Sequence, residues 1–210
     1  MLNQLTNNPL SFIIFIPVLL FTIAIHEYAH AKTADYLGDP TARLMGRITL
    51  NPLAHIDLYG MFFLFLFGFG WGKPVPFDPF NLKNPRRDTA LISIAGPISN
   101  FSVAIICALL LKLFIFFKLS QLFFIGQIIF VPIISFNLLL GVFNLIPVGP
   151  LDGFKVVGGI LPENRAREWY QLEKYGIFFL LALLIPINGH SMLSSILNPT
   201  LFFLEKLLLY

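Results

Sequence analysis

Residues 10–30 read Leu10-Ser-Phe-Ile-Ile-Phe-Ile-Pro-Val-Leu-Leu-Phe-Thr-Ile-Ala-Ile-His26-Glu27-Tyr28-Ala29-His30. An apolar run passes without a break into two histidines and a glutamate. About 20 apolar residues in a helix cross roughly 30 Å of hydrocarbon, so this stretch predicts a membrane span that ends in ionisable groups. No basic segment precedes it and no small-residue cleavage site follows. It therefore reads as a retained span and not as a signal peptide.

Working outward, the same pattern repeats. Of 210 residues, 57% are hydrophobic and 12% charged, with 24 Phe and a mean hydropathy of +0.80. Soluble domains carry about 25% charged residues, so the composition excludes that class. Apolar segments fall at 10–36, 56–71, 89–117, 121–146, 171–187 and 192–209. The second is short and glycine-rich (Gly60, Gly68, Gly70, Gly72), and Lys73-Pro-Val-Pro-Phe-Asp-Pro-Phe follows it. Those prolines exclude regular helix. Irregular backbone at membrane depth survives only when protein or a wet cavity covers it, so a re-entrant or edge-strand segment is expected there. The fold class is all-α and multi-span, with about four to six transmembrane helices and that re-entrant segment after the metal-binding helix. One domain is expected over 1–210. Its parts are a metal helix at 10–36, a re-entrant region at 56–88, core helices at 89–146, an Asp-bearing broken segment at 147–160 and C-terminal helices at 171–209. No PDZ-like insertion is visible.

The net charge of +3 carries no nucleic-acid signal, because the basic residues are scattered between spans. They set orientation instead. Lys32, Arg43, Arg47, Lys73, Lys83, Arg86, Arg87, Lys155, Arg165, Arg167 and Lys174 fall on one side if 56–71 does not cross, whereas Lys112 and Lys118 lie on the other. The positive-inside bias then places the amino terminus outside, and residues 37–88 and 147–170 in the cytoplasm. Cys107 stands alone in an apolar segment. It excludes a disulfide framework and reads as a buried, inert thiol.

His26 and His30 are four apart, so on a helix both imidazoles can point at one ion. Glu27 sits on a neighbouring face, placed to activate water without binding the metal itself. This is the zinc hydrolase arrangement. Interrupting an apolar run with such costly groups argues against chance. A catalytic zinc wants three protein ligands and an open position. Asp152, after the break at Pro147, Gly149 and Pro150, is the candidate third ligand. Read alone, Asp152-Gly153 is also an ordinary turn pair.

Several ordered motifs now point the same way. They are His26-Glu27-Tyr28-Ala29-His30, Gly46-Arg47-Ile-Thr-Leu-Asn-Pro-Leu-Ala-His55-Ile-Asp57, Gly70-Trp71-Gly72-Lys73-Pro74-Val-Pro76, Ala95-Gly96-Pro97-Ile-Ser-Asn100, and Asn144 through Gly153. Together they resemble the site-2 protease family of intramembrane zinc metalloproteases, in its small bacterial and archaeal branch without a PDZ insertion. The resemblance implies one Zn2+ per chain held by His26, His30 and Asp152, with Glu27 as general base. It also implies single-span membrane proteins as substrates and a prokaryotic cell membrane as the location. Asn144 is placed near the active site, where its amide could serve an oxyanion or merely cap a helix end. His55 could be a second donor, or could order its loop with Asp57. Trp71 and Lys73 read as interface anchors, and the proline-rich strand beside them as an alternative place for an extended peptide to pair. Asn100 reads as interhelical glue, Arg86 and Arg87 as orientation charges, and His190 as a loop residue. No motif in 160–210 carries chemistry.

The expected reaction is water-based. Substrate helix unwinds locally, Glu27 takes a proton from water, and the same group returns it to the leaving amine. The rival readings are a membrane metal-ion transporter and a metal-binding scaffold without proteolysis. Beyond substrate and bilayer, the sequence names no gating partner and no oligomeric state.

Overall fold

The computed structural model describes residues 9–67, 70–187 and 189–210. Helix α1 (Pro9–Tyr36) carries the quoted stretch. A one-turn α2 (Thr41–Leu44) and the short α3 (Leu58–Phe67) follow. Two long helices, α4 (Pro85–Phe116) and α5 (Ser120–Asn144), come next. Then come α6 (Asp152–Ile160), α7 (Glu163–Gln171), α8 (Gly176–Leu184) and α9 (Met192–Leu209). Among the described residues, four helices are long and apolar enough to cross a membrane: α1, α4, α5 and α9. At 1.5 Å per residue, even α9 spans about 27 Å. The apolar segment 171–187 gives only the nine-residue α8, about 14 Å long. A tight pairing of β1 (Pro186–Ile187) with β2 (His190–Ser191) separates it from α9. His190 thus belongs to this hairpin, whereas Gly68 and Asn188 lie outside the described residues.

The segment after α1 turns back on itself. Helix α3 has ten residues, about 15 Å or half the hydrocarbon depth. Ile56 pairs with Gly72 in an antiparallel bridge, and the Lys73 N–H donates to the His55 carbonyl at 2.8 Å. The chain therefore enters and leaves at one level, and the edge strand shrinks to a single bridge. Glycine makes the closure possible. A Cβ on Gly60 would lie 2.9 Å from the Trp71 carbonyl carbon, and one on Gly70 would lie 2.7 Å from Leu64 Cβ.

Helix α4 is the hub, touching α1, α5, α6 and α9. Its Ala104, Cys107, Ala108 and Leu111 form a buried cluster with Ile134 and Leu138 of α5. Leu201, Leu204 and Leu208 of α9 close over that cluster. Small residues on α4 let the partner helices approach closely. Cys107 is buried there and free. Ser135 on α5 donates its hydroxyl to Glu205 on α9 at 2.6 Å, adding a polar contact to the leucine seam.

Two facing stripes, each with a spacing of four, position the chemistry. Thr22, His26 and His30 lie on one side of α1; Ile92, Gly96 and Asn100 lie on one side of α4. Beyond the end of α1, the buried Asp39 carboxylate accepts from the Thr41 N–H and hydroxyl, the Asp78 N–H and the Asn81 amide. Burial opposes its charge, but these donors outweigh burial and hold its carboxyl below the ordinary range. Loop 37–40 is thereby tied to loop 78–81.

Candidate metal centre

Each corner of the centre comes from local folding. The α1 helix puts both imidazoles on its α4-facing side. Asp152 is the first residue of α6, delivered by the broken segment after α5. Gly153 permits this turn, since a Cβ there would fall 2.7 Å from the Ile146 carbonyl oxygen. Farther along, Phe154 stacks on Trp169 of α7, whose indole N–H donates to the Phe154 carbonyl at 2.8 Å. Gly159 lets α6 lie close against Ala90 of α4.

Three atoms converge. His26 Nε2 lies 3.1 Å from Asp152 Oδ2, His30 Nε2 lies 3.2 Å from the same oxygen, and the two Nε2 atoms are 2.9 Å apart. A tetrahedral zinc with bonds near 2.0–2.1 Å sets its ligand atoms roughly 3.4 Å apart. The observed triangle matches one face of that tetrahedron to within a few tenths of an ångström. Both Nδ1 atoms turn outward to α4: His26 Nδ1 meets Asn100 Oδ1 at 2.6 Å and His30 Nδ1 meets the Ile92 carbonyl at 2.7 Å. A carbonyl only accepts, so His30 Nδ1 carries a proton, and in the neutral form that binds a metal its Nε2 presents a lone pair to the cluster. Lone pairs and a carboxylate gathered this closely repel one another unless a cation sits among them. To serve as a ligand Asp152 must be ionised. Gly96 leaves room for the rings, because a Cβ there would stand 2.6 Å from His26 Cε1. The donor set fits zinc.

Residues 14–187 match peptidase family M50. The chain belongs to that family. It is a zinc metallopeptidase, and its four long apolar helices mark it as an integral membrane protein. It is 38% identical over 194 residues to YwhC of Bacillus subtilis, covering 90% of this chain and 89% of that protein. It is 28% identical over 186 residues to Rip2 of Mycobacterium tuberculosis, covering 85% and 70%. Both relatives are named putative zinc metalloproteases. MJ0392 of Methanocaldococcus jannaschii, named a zinc metalloprotease, is 23% identical over 164 residues, covering 77% of this chain and 38% of that protein. No solved structure matches the chain.

In this M50 chain Glu27, next to His26 in the sequence, is not one of the three converging ligands. Its Oε2 accepts from the Val75 N–H at 2.8 Å, which fastens the carboxylate to the proline-rich segment. That segment has its donors fully used. Lys73 N–H goes to the His55 carbonyl, Val75 N–H goes to Glu27, and Pro74 and Pro76 have none. The buried Arg47 donates to the Lys73 carbonyl at 2.7 Å and to the Pro74 carbonyl at 3.3 Å. Residues 73–76 therefore offer an incoming strand no N–H group.

The structure does not bring His55 into the cluster. His55 is buried. Its Nε2 donates to the Thr49 carbonyl at 2.9 Å, and its Nδ1 faces Arg47 Nη2 at 3.5 Å. These are loop-ordering contacts, although Asp57 is not the partner; its carboxylate accepts from the Gly60 N–H instead. Asn144, at the end of α5, donates its amide to the Leu140 carbonyl at 3.0 Å, a helix-end bond. Asn100 does join helices, through Thr22 and Asn137, but its bond to His26 and that of the Ile92 carbonyl to His30 are contacts that the motifs did not announce. Their signal was the spacing of Ile92, Gly96 and Asn100, matched to Thr22, His26 and His30.

Proposed function

We propose that this metallopeptidase hydrolyses peptide bonds in or near the transmembrane segments of single-span membrane proteins. The observation that carries the reading is the His26–His30–Asp152 cluster between two membrane-crossing helices, α1 and α4, with Glu27 held next to it. Bound zinc supplies a Lewis acid that polarises the scissile carbonyl and acidifies water. His26, His30 and Asp152 would hold that ion. Glu27 takes the proton from the attacking water and returns it to the leaving amine. Asn144 serves the developing oxyanion by exchanging its bond to Leu140 for one to substrate. His55 supports the reaction only through the loop it orders. A substrate helix hides its carbonyls, so cleavage needs local unwinding, which glycine or proline in the substrate favours. The site faces the cytoplasmic side of a prokaryotic cell membrane, following the basic loops.

The test compares cells carrying the native chain with cells carrying Glu27→Gln. New peptide termini are read by mass spectrometry, and zinc is counted in both purified proteins. Termini inside single-span segments that depend on Glu27, with zinc unchanged, are expected. Equal termini in both cells, with one zinc in each protein, would overturn proteolysis and favour metal transport or scaffolding.

A further inference from the structure

We infer that Asn100 is a positioning residue: it fixes the tautomer and ring orientation of His26, and Thr22 and Asn137 fix Asn100 in turn. The inference rests on the metal-site reading above and extends it to three residues beyond the ligands.

The polarity of this network follows from its anchors. On α5, Asn137 Nδ2 donates to the Ile133 carbonyl at 2.8 Å and to Thr22 Oγ1 at 3.1 Å. With its nitrogen so engaged, Asn137 must present Oδ1 to Asn100, and Asn100 Nδ2 donates to it at 2.9 Å. The same Nδ2 also donates to the Thr22 carbonyl at 3.3 Å. Asn100 is thus left with its oxygen towards His26 Nδ1, at 2.6 Å. Carbonyls cannot donate, so the two main-chain anchors at Ile133 and Thr22 make the chain of bonds run one way. His26 must carry a proton on Nδ1, so the neutral imidazole that binds a metal turns its Nε2 lone pair to Asp152 and His30. Reversing either amide would set oxygen against oxygen. Thr22, Asn100 and Asn137 are each at most 1% exposed, so bulk water cannot repair a reversed amide.

The consequence for the metal is direct. A metal-ligating histidine is oriented by the acceptor on its other nitrogen, and losing that acceptor typically costs about 10–100-fold in metal affinity. The network reaches His26 from two other helices, so the mutual seating of α1, α4 and α5 is read out at one ligand.

The experiment measures zinc affinity by chelator competition in the full purified chain. It covers the native protein, Asn100→Leu, Asn100→Asp and Asn137→Leu, with the thermal midpoint of each metal-free protein recorded alongside. Positioning predicts that Asn100→Leu loses about 10–100-fold in affinity. Asn100→Asp stays near native because a carboxylate still accepts from Nδ1–H, and Asn137→Leu falls between. Cobalt(II) substituted for zinc should show an altered d–d spectrum in Asn100→Leu and a native-like one in Asn100→Asp. A packing role predicts the reverse order, since Leu fits an apolar helix seam and a buried carboxylate does not; Asn100→Leu binding as tightly as native would overturn the inference. Should Asn100→Asp fail to fold, nitrogen-15 NMR of the zinc-loaded native chain still decides. A proton on His26 Nδ1 supports the assignment, and a proton on Nε2 overturns it. A native chain that binds no zinc at all would sink the underlying metal-site reading instead.

Discussion

At the residue scale, Gly96 faces the two imidazoles where any side chain would intrude. Gly96→Ala is expected to cost about 1–3 kcal/mol of overpacking strain. The strain should appear as weakened zinc retention, because the rings are what the new methyl meets. Dialysis against a chelator, followed by metal counting, checks this; unchanged retention would mean the helices shift apart without loss. The ligands differ in how plainly the sequence shows them. His26, Glu27 and His30 share one helix, where spacing alone decides which side chains converge. Asp152 needed the interrupted segment after α5 to become a candidate, and its neighbour Gly153 equally suits a plain turn. Asn100 closes one of the ordered motifs, yet a polar residue in an apolar helix looks the same whether it binds a neighbouring helix or a ligand. What resolves it is the partner stripe on α1, and a stripe facing another helix is a tertiary fact.

At the element scale, the long helices follow the apolar runs closely because hydrocarbon thickness sets a minimum length that sequence must obey. The run 10–36 is α1 at Pro9–Tyr36, and 121–146 is α5 at Ser120–Asn144. Short elements escape this rule. The segment 171–187 is apolar, yet Glu173 and Lys174 sit in a single 3-10 turn and Pro186 opens the hairpin, so only nine helical residues remain. The seating of α9 offers a test of a different kind. Ser135→Ala leaves the Glu205 carboxylate without its donor and is expected to destabilise the protein by about 1–3 kcal/mol. Adding Glu205→Leu should restore most of that loss, since the leucine seam of Leu201, Leu204 and Leu208 would continue through it. Thermal midpoints of native, single and double variants in one detergent measure the coupling. A double variant no better than the single would show that the seam tolerates no change of shape there.

For the whole molecule, of the 14 Lys and Arg only Lys112, Lys118 and Lys206 fall outside the group assigned to one membrane face. Lys118 sits in the turn joining α4 to α5, at the far end from α6 and α7. In a Cys107→Ser background, Lys118→Cys is expected to react with a membrane-impermeant maleimide in intact cells. Arg165→Cys, on α7, should react only after the cells are opened. The opposite pattern would invert the orientation and move the site to the outer face. The long-range part of the architecture carries a further consequence, in the order of synthesis. His26 and Asp152 are 126 positions apart, and the residues that orient His26 lie on α4 and α5 between them. At roughly 5–20 residues per second, the first two ligands wait on the order of 6–25 seconds for the third. A nascent chain in the membrane thus carries an incomplete set of ligands until Asp152 has been made, and the bilayer receives a hydrolase that arms itself only once its helices have assembled.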